Sequence, residues 1–199
     1  MATNTIVSPQ GEVTISDPPI ARLLFSSTRL AWLWLIVRVY LGWQWLSSGW
    51  GKFGNPAWME DGAALKGFWA NAVKIPEQGR PPIAFDWYRD FIQYMLDNGW
   101  YTWFAKLVVF GEIFIGIALI LGAFVGIAAF FGGFMNWNFI MAGTASTNAL
   151  LFTLAILLML AWKVAGWYGV DRFLLPRVGV PWKVGTAENG KLQPAAAGR

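Results

Sequence analysis

LAWLWLIVRVYLGWQWLSSG, residues Leu30–Gly49, is a mostly apolar stretch with a single charge, Arg38, near its centre. It has about the 20 residues that an α-helix needs to cross ~30 Å of hydrocarbon. Three further apolar runs follow at about residues 104–121, 124–142 and 149–167. Gly122-Ala-Phe-Val-Gly126 separates the second run from the third, and Asp171-Arg172 with Pro176 marks the exit from the fourth. The expectation is an all-α protein, a four-helix transmembrane bundle. A soluble helical bundle is the alternative, but runs two to four are apolar on every side, and a small bundle cannot hide so much apolar surface.

Composition points the same way. Hydrophobic residues make up 56% of the 199-residue chain, charged residues only 13%, and mean hydropathy is +0.46. A typical soluble domain carries about 25% charged residues. Fourteen Trp, 15 Phe and 5 Tyr suit rings placed at lipid headgroups. The chain has no Cys, which excludes disulfides, thiolate catalysis and iron–sulfur clusters. It has no His, so the commonest metal and haem ligand is missing, and neither metal nor haem is expected. The net charge of +4 is scattered and forms no nucleic-acid stripe.

Four spans place both termini on one side. Arg22, Arg29, Lys163, Arg172, Arg177 and Lys183 flank the spans there, against Lys52, Lys66, Arg89 and Lys106 opposite. That bias predicts cytoplasmic termini in the plasma membrane. Residues 1–29 and 177–199 read as cytoplasmic tails without a cleaved leader, and residues 30–176 as the membrane domain with an outer-face insertion at 50–103. Two amphipathic helices are expected in that insertion. One starts at Asn55-Pro56 and carries Leu65, Phe68, Trp69, Ala72 and Val73; the other starts at Asp86 and stops at Asn98-Gly99. They either cover the bundle or form a lid over a site.

Ionisable residues inside a span cost at least ~2.5 kcal/mol each, so Arg38 and Glu112 are candidate functional residues. Counted from Gly49 and from Trp103, they lie ~16 Å and ~14 Å below the outer ends of antiparallel helices, so they could pair. Arg38, Gly42, Trp45, Gly49 and Lys52 share one helix face. Asn136, Asn138, Thr144, Ser146, Thr147 and Asn148 bring more polar atoms to the outer half. Either these groups staple the helices, or they line an outward pocket. In the pocket reading Arg38 and Glu112 are catalytic, and Lys52, Trp45, Asn138 and Asn148 bind substrate. Such a pocket suits a small anion beside a flat apolar ring.

With RVYLGWQWLSSGWGKF (Arg38–Phe53), FGEIFIGIALILGAF (Phe110–Phe124), MAGTASTN (Met141–Asn148) and AGWYGVDRFLLP (Ala165–Pro176), the chain resembles the DoxX/DoxD family of four-helix membrane proteins. The long Trp-rich segment after the first helix is similar to the DoxD-type branch. That resemblance implies a subunit of thiosulfate:quinone oxidoreductase, which joins two thiosulfates into tetrathionate and reduces membrane quinone. By position the matching residues are Arg38, Gly49, Lys52, Glu112, Asn148 and Asp171. It also implies a second subunit, DoxA-like, or assembly of copies. Quinone would be the electron acceptor and a small sulfur anion the donor. The competing readings are a non-catalytic membrane scaffold for redox or stress-response enzymes, and a transporter. No internal repeat relates residues 30–103 to 104–176, which counts against the transporter.

Overall fold

The computed structural model describes residues 17–178, together with the backbone of residues 6–7 and 13–14, which pair as a short antiparallel ladder. The tails read from the sequence fall largely outside the described residues. The rest is helical. α1 (Pro19–Phe25) and a 3-10 turn lead into α2 (Ala31–Phe53). α3 (Pro56–Met59), α4 (Ala63–Ala72) and α5 (Asp86–Asp97) form the insertion. α6 (Tyr101–Leu121), α7 (Val125–Met141) and α8 (Ser146–Leu160) are the remaining long helices, and α9 (Trp162–Ala165) and α10 (Asp171–Arg177) close the chain.

The buried face of α2 runs through Ala31, Trp34, Arg38, Leu41, Gly42, Trp45 and Gly49 at helical spacing. It packs antiparallel on α6 almost backbone to backbone. A Cβ on Gly42 would stand 2.9 Å from the Gly116 carbonyl, and one on Gly49 would stand 3.0 Å from Glu112 Cβ. Small residues permit such approach, and close packing is what holds helices together where there is no water to expel. Trp34, Leu41, Trp45, Leu119, Val125, Ala129, Ala155 and Leu158 make the main core between α2, α6, α7 and α8.

The insertion has its own core. Leu65, Trp69, Ile83, Tyr88, Ile92 and Met95 pack on Ala105 of α6 and on Ala142, just past α7. It is therefore a roof fixed to one end of the long helices. The single first helix expected there is broken in two at Gly62. That glycine has φ +72°, and a Cβ would lie 2.3 Å from the Tyr101 carbonyl, so the chain turns where only glycine fits against the start of α6. The Asn55 cap forms as read, accepting a hydrogen bond from the Ala57 N–H at 3.0 Å, and Gly99 ends α5 with φ +70°.

Among the described residues, α6 alone is long and apolar enough by itself to cross a bilayer, with 21 residues and a mean hydropathy of 2.3. α1 and α2 pass the same test together but are bent by 54° at the break between them. α7 and α8 are apolar, with 17 and 15 residues. The expected fourth run to residue 167 stops at Leu160, because the chain then folds back toward the α6–α7 turn. There a Cβ on Gly169 would stand 2.8 Å from the Gly122 backbone. All four long helices expose large apolar side chains, among them Trp43, Phe114, Phe130 and Leu150.

Candidate functional site

A cleft of about 360 Å³ opens beneath the roof. α2 supplies Gln44, Trp45, Ser48 and Lys52, successive turns of one helix face. α6 supplies Glu112, α7 supplies Asn136 and Phe139, and Thr144, Thr147 and Asn148 come from the start of α8 and the turn before it. Trp58 and Phe68 close it from the roof.

The chemistry centres on one ion pair. Lys52 Nζ donates to both carboxylate oxygens of Glu112, each at 2.7 Å, and to Ser48 Oγ at 2.6 Å. It also lies 5.2 Å from the centroid of the Trp58 ring. The Glu112 side chain is 1% exposed and that of Lys52 20%, so the pair runs from the interior to the cleft mouth. Beside it lie polar atoms that lack partners. The Trp45 indole N–H and both amide atoms of Asn136 are buried without a hydrogen bond among the described residues. Trp45 is 3% exposed and Asn136 0%. The indole reaches this place because α7 carries glycine opposite it; a Cβ on Gly132 would stand 2.9 Å from Trp45 Nε1. Each unsatisfied buried group costs about 1–3 kcal/mol, a cost that a hydrogen-bonding ligand would relieve.

A second cavity of about 620 Å³ adjoins the first and differs from it in kind. Leu65, Trp69, Phe91, Ile92, Met95, Leu107, Phe114, Phe131, Phe134 and Met135 give it apolar walls. Several of these, including Phe114, Phe131 and Phe134, are more than half exposed, so the cavity opens sideways among apolar side chains. Its polar groups are Tyr88 and Asn138. The Tyr88 hydroxyl donates to Asn138 Oδ1 at 3.1 Å, and Asn138 Nδ2 donates to the Phe134 carbonyl at 2.8 Å. Burial pushes the Tyr88 phenol up to about 12, so it remains a donor at ordinary pH. Phe68 and Phe139 line both cavities and meet edge to face, 6.1 Å between centroids.

The structure therefore gathers Lys52, Trp45, Asn148 and Glu112 into one cleft and leaves Arg38 and Asn138 out of it. Arg38 faces Gly122, whose Cβ would meet the guanidinium at 2.8 Å, ten residues along α6 from Glu112. That is about 15 Å of helix. Arg38 and Glu112, which could pair on the sequence alone, do not meet. Gly49 is level with Glu112 and not with Trp103, because the first turns of α6, with Tyr101, Phe104 and Ala105, belong to the roof core beyond the end of α2. Asn138 misses the cleft for a simpler reason. Two residues turn a helix by about 200°, so Asn136 and Asn138 cannot share a face.

Arg38 instead caps a helix end. Its guanidinium donates to the carbonyls of Leu119 at 2.6 Å, Ile120 at 2.7 Å and Tyr168 at 2.8 Å. Asp171, read beside Arg172 as a local turn or ion pair, reaches the same junction. Its carboxylate accepts from the Phe124 and Val125 N–H groups at 2.5 and 2.9 Å, at the start of α7. A cation at one helix C-terminus and an anion at the next N-terminus complement both dipoles. Arg172 stacks on the Trp167 ring, 5.0 Å to the centroid. Among the described residues no three Asp or Glu side chains gather as a metal site.

A polar cleft between apolar helices with exposed apolar faces defines a membrane protein with an internal site. A model of the DoxX family matches residues 33–144, more than half of the chain, and the protein belongs to that family. The match spans α2 to the turn after α7 and includes Trp45, Lys52, Glu112 and Asn136, while Asn148 and Asp171 fall beyond it. No curated protein and no solved structure matches the chain.

Proposed function

We propose that this DoxX-family chain is the membrane subunit of a DoxD-type, quinone-linked oxidoreductase. In this reading it takes electrons from a small sulfur anion such as thiosulfate and passes them to membrane quinone. What carries the reading is the cleft, where an ion pair stands beside a buried indole N–H and a buried carboxamide that have no partner. Two thiosulfates lose one electron each and join through a new S–S bond as tetrathionate; a quinone takes both electrons and two protons. Lys52 supplies the cation for the anion, and Trp45 and Asn136 donate hydrogen bonds to its oxygens. Asn148 stands at the rim of the same cleft. Glu112 can hold a proton at a carboxylate oxygen on its way to the acceptor.

The apolar cavity fits the acceptor. Its walls suit a flat ring with a hydrocarbon tail, its sideways opening suits arrival from lipid, and the Tyr88 phenol can donate to a carbonyl oxygen. A quinone bound there supplies a two-electron, two-proton acceptor. Phe68 and Phe139, shared by both cavities, keep the path between them short. The chain in this reading crosses the plasma membrane four times, with cytoplasmic termini and the cleft facing out. The exposed apolar faces of the four long helices support it, and tilt or bilayer thinning accommodates the short α7 and α8. A DoxA-like second subunit or a second copy of the chain completes the enzyme.

The test is thiosulfate-dependent reduction of a decyl-quinone by the purified chain, with and without the proteins that copurify from its native membrane. Lys52→Met and Glu112→Gln should each lose about a hundredfold or more in turnover while staying folded. Unchanged turnover in both variants sinks the proposal. Absence of activity in either preparation, with a stable soluble partner bound, hands the function to the scaffold reading.

A further inference from the structure

Among the described residues, Lys52 and Glu112 are the only ionisable side chains lining the cleft, and each already neutralises the other. The remaining polar lining is amide, hydroxyl and indole. Facing the Glu112 carboxylate, α2 presents Ser48 and Lys52, α7 presents Asn136 and the roof presents Trp58, and Lys52 alone among these is charged. As it stands, then, the cleft has no spare positive charge. An anion that reaches Lys52 must lie against the Glu112 carboxylate, which holds the ammonium through both oxygens. Arg38 cannot help, because its hydrogen bonds along α6 go to the carbonyls of Leu119 and Ile120, seven and eight residues beyond Glu112. One change removes the conflict with groups already present, namely protonation of Glu112.

We infer that the cleft binds its anion together with one proton. The proton goes from solvent to a Glu112 carboxylate oxygen, and Lys52 passes from Glu112 to the anion. Glu112 is thus the resident counter-ion that a ligand displaces, and the proton it takes up offsets one of the two negative charges that thiosulfate brings. The neutral carboxyl, the Trp45 N–H and the Asn136 amide then offer three uncharged donors to the anion's oxygens. Binding is selective for oxyanions that accept several hydrogen bonds, and it delivers to the protein one of the protons that quinone reduction consumes. This inference rests on the reading of the cleft as the substrate site.

The experiment is calorimetric titration of thiosulfate into the purified full-length protein, with its copurifying partners retained. It is run in two buffers of different ionisation enthalpy across about pH 6 to pH 8. Uptake of close to one proton per anion is expected, with affinity falling about tenfold per pH unit. Glu112→Gln should bind at least as tightly as the parent at the upper end of that range, with no proton uptake and a flat pH profile. Binding by the unmodified protein without proton uptake overturns the inference and leaves the substrate site standing. Failure of any anion to bind overturns both. The proton count on the unmodified protein needs no variant to fold.

Discussion

Two buried charge clusters sit at different depths of the same α2–α6 interface, and the protein treats them in opposite ways. At the Gly122 end, Arg38 gives three hydrogen bonds to carbonyls and Asp171 receives two from amides, all from backbone that cannot leave. At the roof end, Lys52 and Glu112 hold each other, side chain to side chain, at the wall of a cleft. A charge satisfied by backbone is committed to the fold. A charge held by another side chain at the wall of a cleft is not committed in that way. Depth in the membrane and rarity of charge do not separate the two cases; the identity of the partner does.

The sharpest way to break this contrast is Arg38→Ala. It should cost about 3–5 kcal/mol of stability, since it strands the carbonyls of the α6 end and leaves buried Asp171 without its cation. Loss of the folded form in a detergent melt, with anion affinity of the surviving fraction unchanged, is the expected result. Undiminished stability with lost binding would move Arg38 into the site. Gly122→Ala comes next, at about 2–3 kcal/mol. The position has φ +69°, and the new methyl would collide with the guanidinium, so the melting temperature should fall while the Lys52–Glu112 cleft keeps its affinity.

Asn136→Leu should act with the opposite sign on the other cluster. Replacing a fully buried, unpartnered amide by an apolar group should stabilise the protein by about 1–2 kcal/mol and weaken thiosulfate binding about tenfold. Destabilisation instead would mean that Asn136 has a structural partner. The smallest effect concerns the roof. The Tyr88 phenol titrates at about 12 in the folded protein, above its ordinary value near 10. Its contribution to stability is therefore complete below pH 10 and lost as pH rises toward 12. Tyr88→Phe should remove that alkaline component from the melting profile.

Much of this was legible in the chain. The residue types of the cleft, Trp45, Lys52, Glu112 and Asn148, follow from polar atoms that apolar helices do not need. The faces of α2 follow from spacing, and the Asn55 cap and the Gly99 stop follow from local chemistry. Three things were not legible. The register of α2 against α6 depends on glycine contacts at Gly42, Gly49 and Gly116 and on how far α6 projects into the roof. The choice of Asn136 over Asn138 depends on the rotation of α7, and a run as uniformly apolar as 125–135 carries no phase signal. The break at Ala161 depends on Gly169 and Asp171 packing on the α6–α7 turn, contacts remote in sequence.

What the sequence by itself determined is the inventory: apolar helices, a family, two unusual charges in the spans and no Cys or His. Composition and periodicity are local sums, and they survive any error in how the helices are set against one another. What only the tertiary structure decided is which charge meets which. A slip of ten residues along one interface separates an Arg38–Glu112 pair from a helix cap, and that register is set by packing between elements remote in sequence.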